Sequence, residues 1–259
     1  MTLEKLQPPI DRDDLVHFLD AYLDSDQDDY GPNGLQVEGT STIERVVTAV
    51  SSCEELFHQA RELKADAVLV HHGLFWRGQP LQLTGFRYRR VKALIEGDIN
   101  LIAYHLPLDR HSELGNNVLA AQAFGLEHIE PFAPMKGRPI GFKGIFPEPI
   151  DAEAFVSRCA SVFDQAPLAF TYGPNPVRSL GIISGGAQGE FYTAIDDGLD
   201  AYITGEVSEW VMNVAKETGT HYLAAGHYAT ERLGIRRLGE LLAERFGLDV
   251  TFVDIPNPV

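Results

Sequence analysis

Cysteine is nearly absent: the 259 residues contain only Cys53 and Cys159. Two thiols without a CxxC spacing exclude a disulfide framework and a thiolate zinc or redox site, so both read as small apolar residues. Long apolar runs are missing too. None approaches the roughly eighteen residues that a membrane span requires, and the opening MTLEKLQPPIDRDD has no basic segment leading into an apolar one. The expectation is a cytoplasmic chain without a membrane partner. Basic residues are the third scarcity, with 21 Lys and Arg against 37 Asp and Glu and a formal charge of −16. That balance opposes general adhesion to nucleic acid or anionic lipid and favours a small-molecule or protein partner.

What is present is an alternation of apolar strands and amphipathic helices. Residues 65–76, ADAVLVHHGLFW, hold a buried strand that ends in two histidines, a glycine and two aromatics. Before it lie a helix over residues 11–23 with Leu15, Phe18, Leu19 and Tyr22 at helical spacing, an acidic turn, and a strand over 45–50. Asp24, Asp26, Asp28 and Asp29 lack the glycine and terminal glutamate of an EF-hand and read as a solvated charge cluster. After it come a basic helix near 88–96, a strand over 99–104 and a helix at LGNNVLAAQAF. Residues 131–176 are rich in proline and glycine, with GRPIGFKGIF as an antiparallel strand and a helix capped by Asp151. Alternation resumes after Val177. Strands separated by helices predict an α/β fold with mainly parallel sheets.

The resumption is a repeat. Residues 199–210, LDAYITGEVSEW, match 65–76 in Asp-Ala, apolar strand, polar pair and tryptophan. Residues 226–249 match 104–127 without a gap: His105 falls on His227, Asp109 on Glu231, and FGLE on FGLD. The chain reads as two copies of one α/β unit.

The polar positions of the repeat carry metal chemistry. His-x-x-x-acid occurs twice, as His105 with Asp109 and His227 with Glu231, each beginning where a buried strand stops. His71 and His72 likewise end a strand, and the carboxyl edge of an α/β sheet is where ligands bind. His227 and Glu231 share a face if they open the last helix, whereas Pro107 predicts a loop between His105 and Asp109. Adjacent strand side chains point to opposite faces, so His71 and His72 suit two ions, one each, where the strand breaks at Gly73, with Glu231 as the bridging carboxylate. His105 is either a ligand or an acid–base group, and Glu206, the counterpart of His72, is an outer acid or general base. Phe75 and Trp76 stack a base or fill the core. Arg77, Arg87, Arg89 and Arg90 form either a phosphate-recognising patch or a solvated helix face. Ser184-Gly185-Gly186 offers N–H groups to an anion or makes a tight turn.

Six motifs make the sequence recognisable: PNGLQV, HHGLFW, AYHLPLD followed by GNN, SGGA, TGE and GHYATE. Together they resemble, over nearly the whole chain, the type 2 homologues of GTP cyclohydrolase I, also called the NIF-three-like family. The resemblance implies two interlinked α/β domains, placed here at 1–128, completed by 228–259, and at 129–227. It also implies a dinuclear metal centre with His71, His72, Asp109, His227 and Glu231 as ligands, and a ring-shaped homohexamer. The expected cofactors are two divalent ions per chain; an all-N/O donor set accepts zinc, iron, manganese, nickel or cobalt. Three functions follow. The first is a metal-dependent hydrolase acting on a small nucleotide or related heterocycle. The others are a metal-handling protein without catalysis and a hexameric interaction scaffold.

Overall fold

The computed structural model describes residues 8–259; the first seven residues of the polar lead lie outside the described residues. The elements run β1 (Ile10–Asp11), α1 (Arg12–Leu23), β2 (Gly34–Val37), β3 (Thr42–Ile43), β4 (Arg45–Ser51), α2 (Glu54–Glu62), β5 (Ala67–His72), α3 (Gly85–Gly97), β6 (Asn100–Ala103) and α4 (Leu106–Arg110). Next come α5 (Asn116–Ala123), β7 (Glu127–Met135), β8 (Arg138–Ile150), α6 (Ala152–Phe163), β9 (Leu168–Phe170), β10 (Val177–Ile182) and α7 (Phe191–Asp196). The last are β11 (Ala201–Thr204), α8 (Val211–Thr218), β12 (His221–Ala224), α9 (His227–Thr230), α10 (Arg232–Phe246) and β13 (Asp249–Phe252). Among the described residues no helix is long and apolar enough to cross a membrane.

Packing divides the chain into two units. The first holds the residues up to Leu108 with Ile235–Ile255, and the second holds Asp109–Gly234 with Pro256–Val259. The sequence reading drew the division after 128 and after 227. Packing draws the first boundary after Leu108, because α5 buries Val118, Ala120, Ala121 and Phe124 in the core of the second unit, and the second after Gly234.

In the first unit a five-stranded sheet runs β13-β4-β5-β6-β2, parallel except for β2 at the edge. The central strands β4, β5 and β6 are buried on both sides because both faces are covered. Val47, Ala49, Val68, Val70 and Leu101 meet Leu56, Phe57 and Ala60 of α2 and Ala93 and Leu94 of α3. On α10, Gly239 comes close to Thr48 and Val250, while Phe246 meets Phe18 of α1 edge-on at 4.9 Å. Each fully buried Val, Leu or Phe contributes about 1.5–3 kcal/mol. Asp11 caps α1 by accepting from the N–H groups of Asp13 and Asp14.

The second unit has a six-stranded mixed sheet in the order β7-β8-β10-β11-β12-β9, with β10, β11 and β12 parallel and the flanking pairs antiparallel. The proline-rich middle of the sequence forms the β7–β8 hairpin. Phe155, Cys159 and Phe163 of α6 pack with Phe124 of α5 on one face; Asp151 caps α6 as expected. Tyr202, Tyr222 and Phe191 fill the other face as an aromatic cluster with centroids 4.9–5.9 Å apart.

The repeat is visible in hydrogen bonds. Asp66 Oδ2 accepts from the N–H groups of Glu44 and Arg45 at 2.8 Å each, tying the start of β5 to the start of β4. Asp200, its counterpart, accepts through Oδ2 from Arg178 and Ser179 at 2.7 and 3.2 Å. Gly125 and Gly247, one in each copy, take φ of +71° and +70° as the chain leaves α5 and α10. Alanine at Asp66 or at Asp200 removes the acceptor of two backbone donors. Each variant is expected to lose about 1–2 kcal/mol, read as a lower urea midpoint.

Candidate metal centre

Parallel pairing brings the ends of β4, β5 and β6 to one edge of the first sheet, with Ser51 opposite His72 and Val70 opposite Ala103. His71 is fully buried, and its Nδ1 lies 3.0 Å from the Tyr104 carbonyl. A carbonyl only accepts, so Nδ1 carries the proton and Nε2 presents its lone pair. His72 Nδ1 meets Ser51 Oγ at 2.9 Å. In regular strand backbone, alternation turns two adjacent rings apart. Instead their centroids lie 4.6 Å apart, and each offers a nitrogen within 4.8 Å of the other and of one on His105. The separation fails because His72 is the last residue of β5, just before Gly73.

His105 is held by Asp29. Its Nδ1 lies 2.7 Å from Asp29 Oδ1, and Asp29 Oδ2 accepts from the Leu106 N–H at 3.0 Å. Asp29 is therefore no part of a solvated cluster: it is 5% exposed. Burial pushes its carboxyl up, but the bonds from His105, Asn33 and the Tyr30 N–H outweigh that and hold it below the usual carboxylate range. The expected loop after His105 is also corrected. Residues Leu106–Arg110 are helical, with Pro107 in the first turn, where its missing N–H has no partner to lose. Trp76 stands edge-on to His105 at 5.0 Å and 5.7 Å from His72.

The second unit gathers the other residues. Asp109 is 5% exposed and accepts through Oδ1 from Asn116 Nδ2 and Ser184 Oγ, both at 2.9 Å. Asn117 accepts from the Ser184 N–H at 2.7 Å and donates to the Ile140 carbonyl. The GNN and SGGA motifs thus fix Asp109. The N–H groups of Ser184 and Gly185 are taken by Asn117 and by Thr230 Oγ1, so these two donors serve a tight turn.

His227 opens α9, and Glu231 sits at the break between α9 and α10 with φ −108° and ψ 6°. His227 Nε2 lies 3.3 Å from Glu231 Oε2, and its Nδ1 2.6 Å from Glu206 Oε1. Burial lowers the proton affinity of this ring, but the two carboxylates outweigh burial and push the imidazole up to about 9. Charge of that density around one ring suits a divalent cation as well as a proton. Glu231 also offers an oxygen within 4.8 Å of one on Asp109, so it faces two donors at once. A side chain at Gly185 would fill this cradle: a Cβ there would lie 2.3 Å from Glu231 Oε1 and 3.2 Å from His227 Nε2. The first unit thus offers imidazole nitrogens and the second an imidazole nitrogen with carboxylate oxygens, a donor chemistry that fits a divalent transition metal.

Sequence reasoning missed Asp29, Ser51, Asn116 and Ser184. The signal for Asp29, Asn116 and Ser184 was there in the motifs PNGLQV, GNN and SGGA, which contain these residues or follow them closely. Ser51 lies in a strand end that gave none.

A family model described as Duf34/NIF3 (NGG1p interacting factor 3) matches residues 10–258. A protein of Pseudomonas aeruginosa named GTP cyclohydrolase 1 type 2 homolog is 44% identical over 245 residues, 94% of this chain and 97% of that protein. Two solved structures are similar. One, described as protein ybgI of unknown function, has a TM-score of 0.92 and 41% identity, covering 96% of this chain and all of that one. The other, TTHA1606 from Thermus thermophilus, has a TM-score of 0.87 and 38% identity, with the same coverage.

Proposed function

Because the chain belongs to the Duf34/NIF3 family, we propose that it is a divalent-metal-dependent hydrolase acting on a nucleotide or related heterocycle. The proposed ligands of two ions are His71, His72, Asp109, His227 and Glu231. The observation that carries this reading is Glu231, a carboxylate that faces both His227 and Asp109. The name shared by the curated relatives supports the substrate class. His105 and Asp109, one from each group of donors, stand four residues apart in the sequence.

Bound divalent ions would supply a water of lowered pKa and a Lewis acid for the carbonyl, phosphoryl or C=N carbon that the water attacks. The chain's own residues do the rest. Asp29 fixes the His105 ring, leaving Nε2 to take or give a proton. Glu206 holds a proton at His227 Nδ1 and so directs Nε2 towards Glu231. Tyr104 does the same for His71 through its carbonyl. We propose a cytoplasmic homohexamer as the working form.

The test is elemental analysis of protein purified without added metal, followed by a turnover screen with nucleotides. About two ions per chain, with turnover lost in His105→Ala while the metal stays, is the expected result. Fewer than half an ion per chain, not restored by added metal, would overturn the proposal. Full metal without turnover on any substrate would favour a metal-handling role.

A further inference from the structure

The four arginines near β5 and α3 separate into two pairs. Arg77 bonds Asp28 at 2.8 Å, and Arg89 bonds Glu54 at 3.0 Å. Arg87 and Arg90 have no carboxylate partner among the described residues. They sit one turn apart on α3, with guanidinium carbons 4.7 and 5.2 Å from the centroid of the Phe86 ring. Together with Val91 they line a cavity of about 220 Å³ that is also lined by Leu74, Phe75 and Trp76. No acidic residue lines it, although the chain carries 37. Two guanidiniums sharing one ring repel each other, and with no carboxylate in the lining their charge is left for a ligand.

We propose that this cavity is an oxyanion subsite that binds the phosphate end of a planar-ring phosphate ester of the nucleoside monophosphate class. Arg87 and Arg90 hold the phosphate. The ring lies against Trp76, whose indole is edge-on to His105 at 5.0 Å and within 5.7 Å of His72. At about 220 Å³ the space takes one end of such a molecule, which leaves the reacting end towards the imidazoles. The proposal rests on the hydrolase reading for the orientation of the ligand, but its binding test does not need turnover.

The chain has two tryptophans, so Trp210→Phe leaves Trp76 as the fluorescent reporter. Nucleoside 5′-monophosphates and the corresponding nucleosides are titrated against this 259-residue chain, as purified and after chelation. A monophosphate is expected to quench Trp76 at a concentration at least tenfold below that of its nucleoside, in both preparations. Arg87→Gln with Arg90→Gln should erase that preference, and each single variant should reduce it about threefold. Arg89→Gln, on the same helix, should leave it unchanged. A preference that survives the double variant, disappears on chelation alone, or is absent from the start overturns the subsite. Metal content of the same samples tests the hydrolase reading separately. Two ions without phosphate preference sink only the subsite, and phosphate preference without metal sinks only the hydrolase.

Discussion

Replacing Glu231 with glutamine is expected to strip most of the metal from the purified protein and to lower turnover at least hundredfold. The change is small in volume and the position is 2% exposed, so the effect is one of charge and donor type. A neutral amide presents one oxygen where the carboxylate has two, and it cannot face His227 and Asp109 with equal affinity for a cation. The same substitution has a readout that needs no metal. In chelated protein the His227 imidazole stands at about 9 because Glu231 and Glu206 together outweigh its burial. With Glu231 neutral, one carboxylate remains, and the pKa should fall towards the ordinary histidine range. An imidazole NMR titration checks this. An unchanged His227 titration, with metal content unchanged as well, would remove Glu231 from the centre.

Gly205→Ala is the second large effect. Gly205 is the counterpart of His71 in the repeat, and the second copy has no room for any side chain there. An added Cβ would lie 2.5 Å from His227 Cα and 2.7 Å from both His227 N and the Gly185 carbonyl oxygen. All three contacts are backbone, so none yields by rotating a side chain. The Gly205 N–H donates to the Gly185 carbonyl at 2.8 Å, and the Gly205 carbonyl accepts from Gly226 at 3.0 Å. Moving either neighbour breaks these bonds and shifts His227 and the cradle around Glu231 together. The expected cost is about 2–3 kcal/mol of stability with a parallel loss of metal, measured by thermal unfolding and elemental analysis. Gly189, where an added Cβ meets nothing within 4 Å, is the control. Its alanine variant should match the parent in both measurements.

The groups proposed to hold a cation are distinct from the frame that holds those groups. Asp109 depends on Asn116 and Ser184, His105 on Asp29, and His72 on Ser51. Such partners orient the donor and fix its tautomer, and their loss in metal sites typically costs ten- to hundredfold in affinity.

The sequence by itself determined the α/β architecture and the two copies of the unit, and it marked the residues proposed as donors. All three depend on local patterns. Alternating strands and helices write themselves in apolar periodicity, and a repeat preserves the spacing between strand end and polar group. It also implied an interlinked pair, but the pairing that returns the last strand, β13, to β4 of the first sheet is a tertiary fact. Only the tertiary structure decided which way each donor faces. Regular alternation turns adjacent rings apart, yet the strand stops at His72 and the rings of His71 and His72 meet. Pro107 predicted a loop, yet the first turn of a helix tolerates it. Asp29 looked like one carboxylate in a solvated run, and the fold buried it against His105 across 76 residues of sequence. Burial and long-range hydrogen bonds set these outcomes. They depend on groups that are neighbours in space and distant along the chain, which no local pattern encodes.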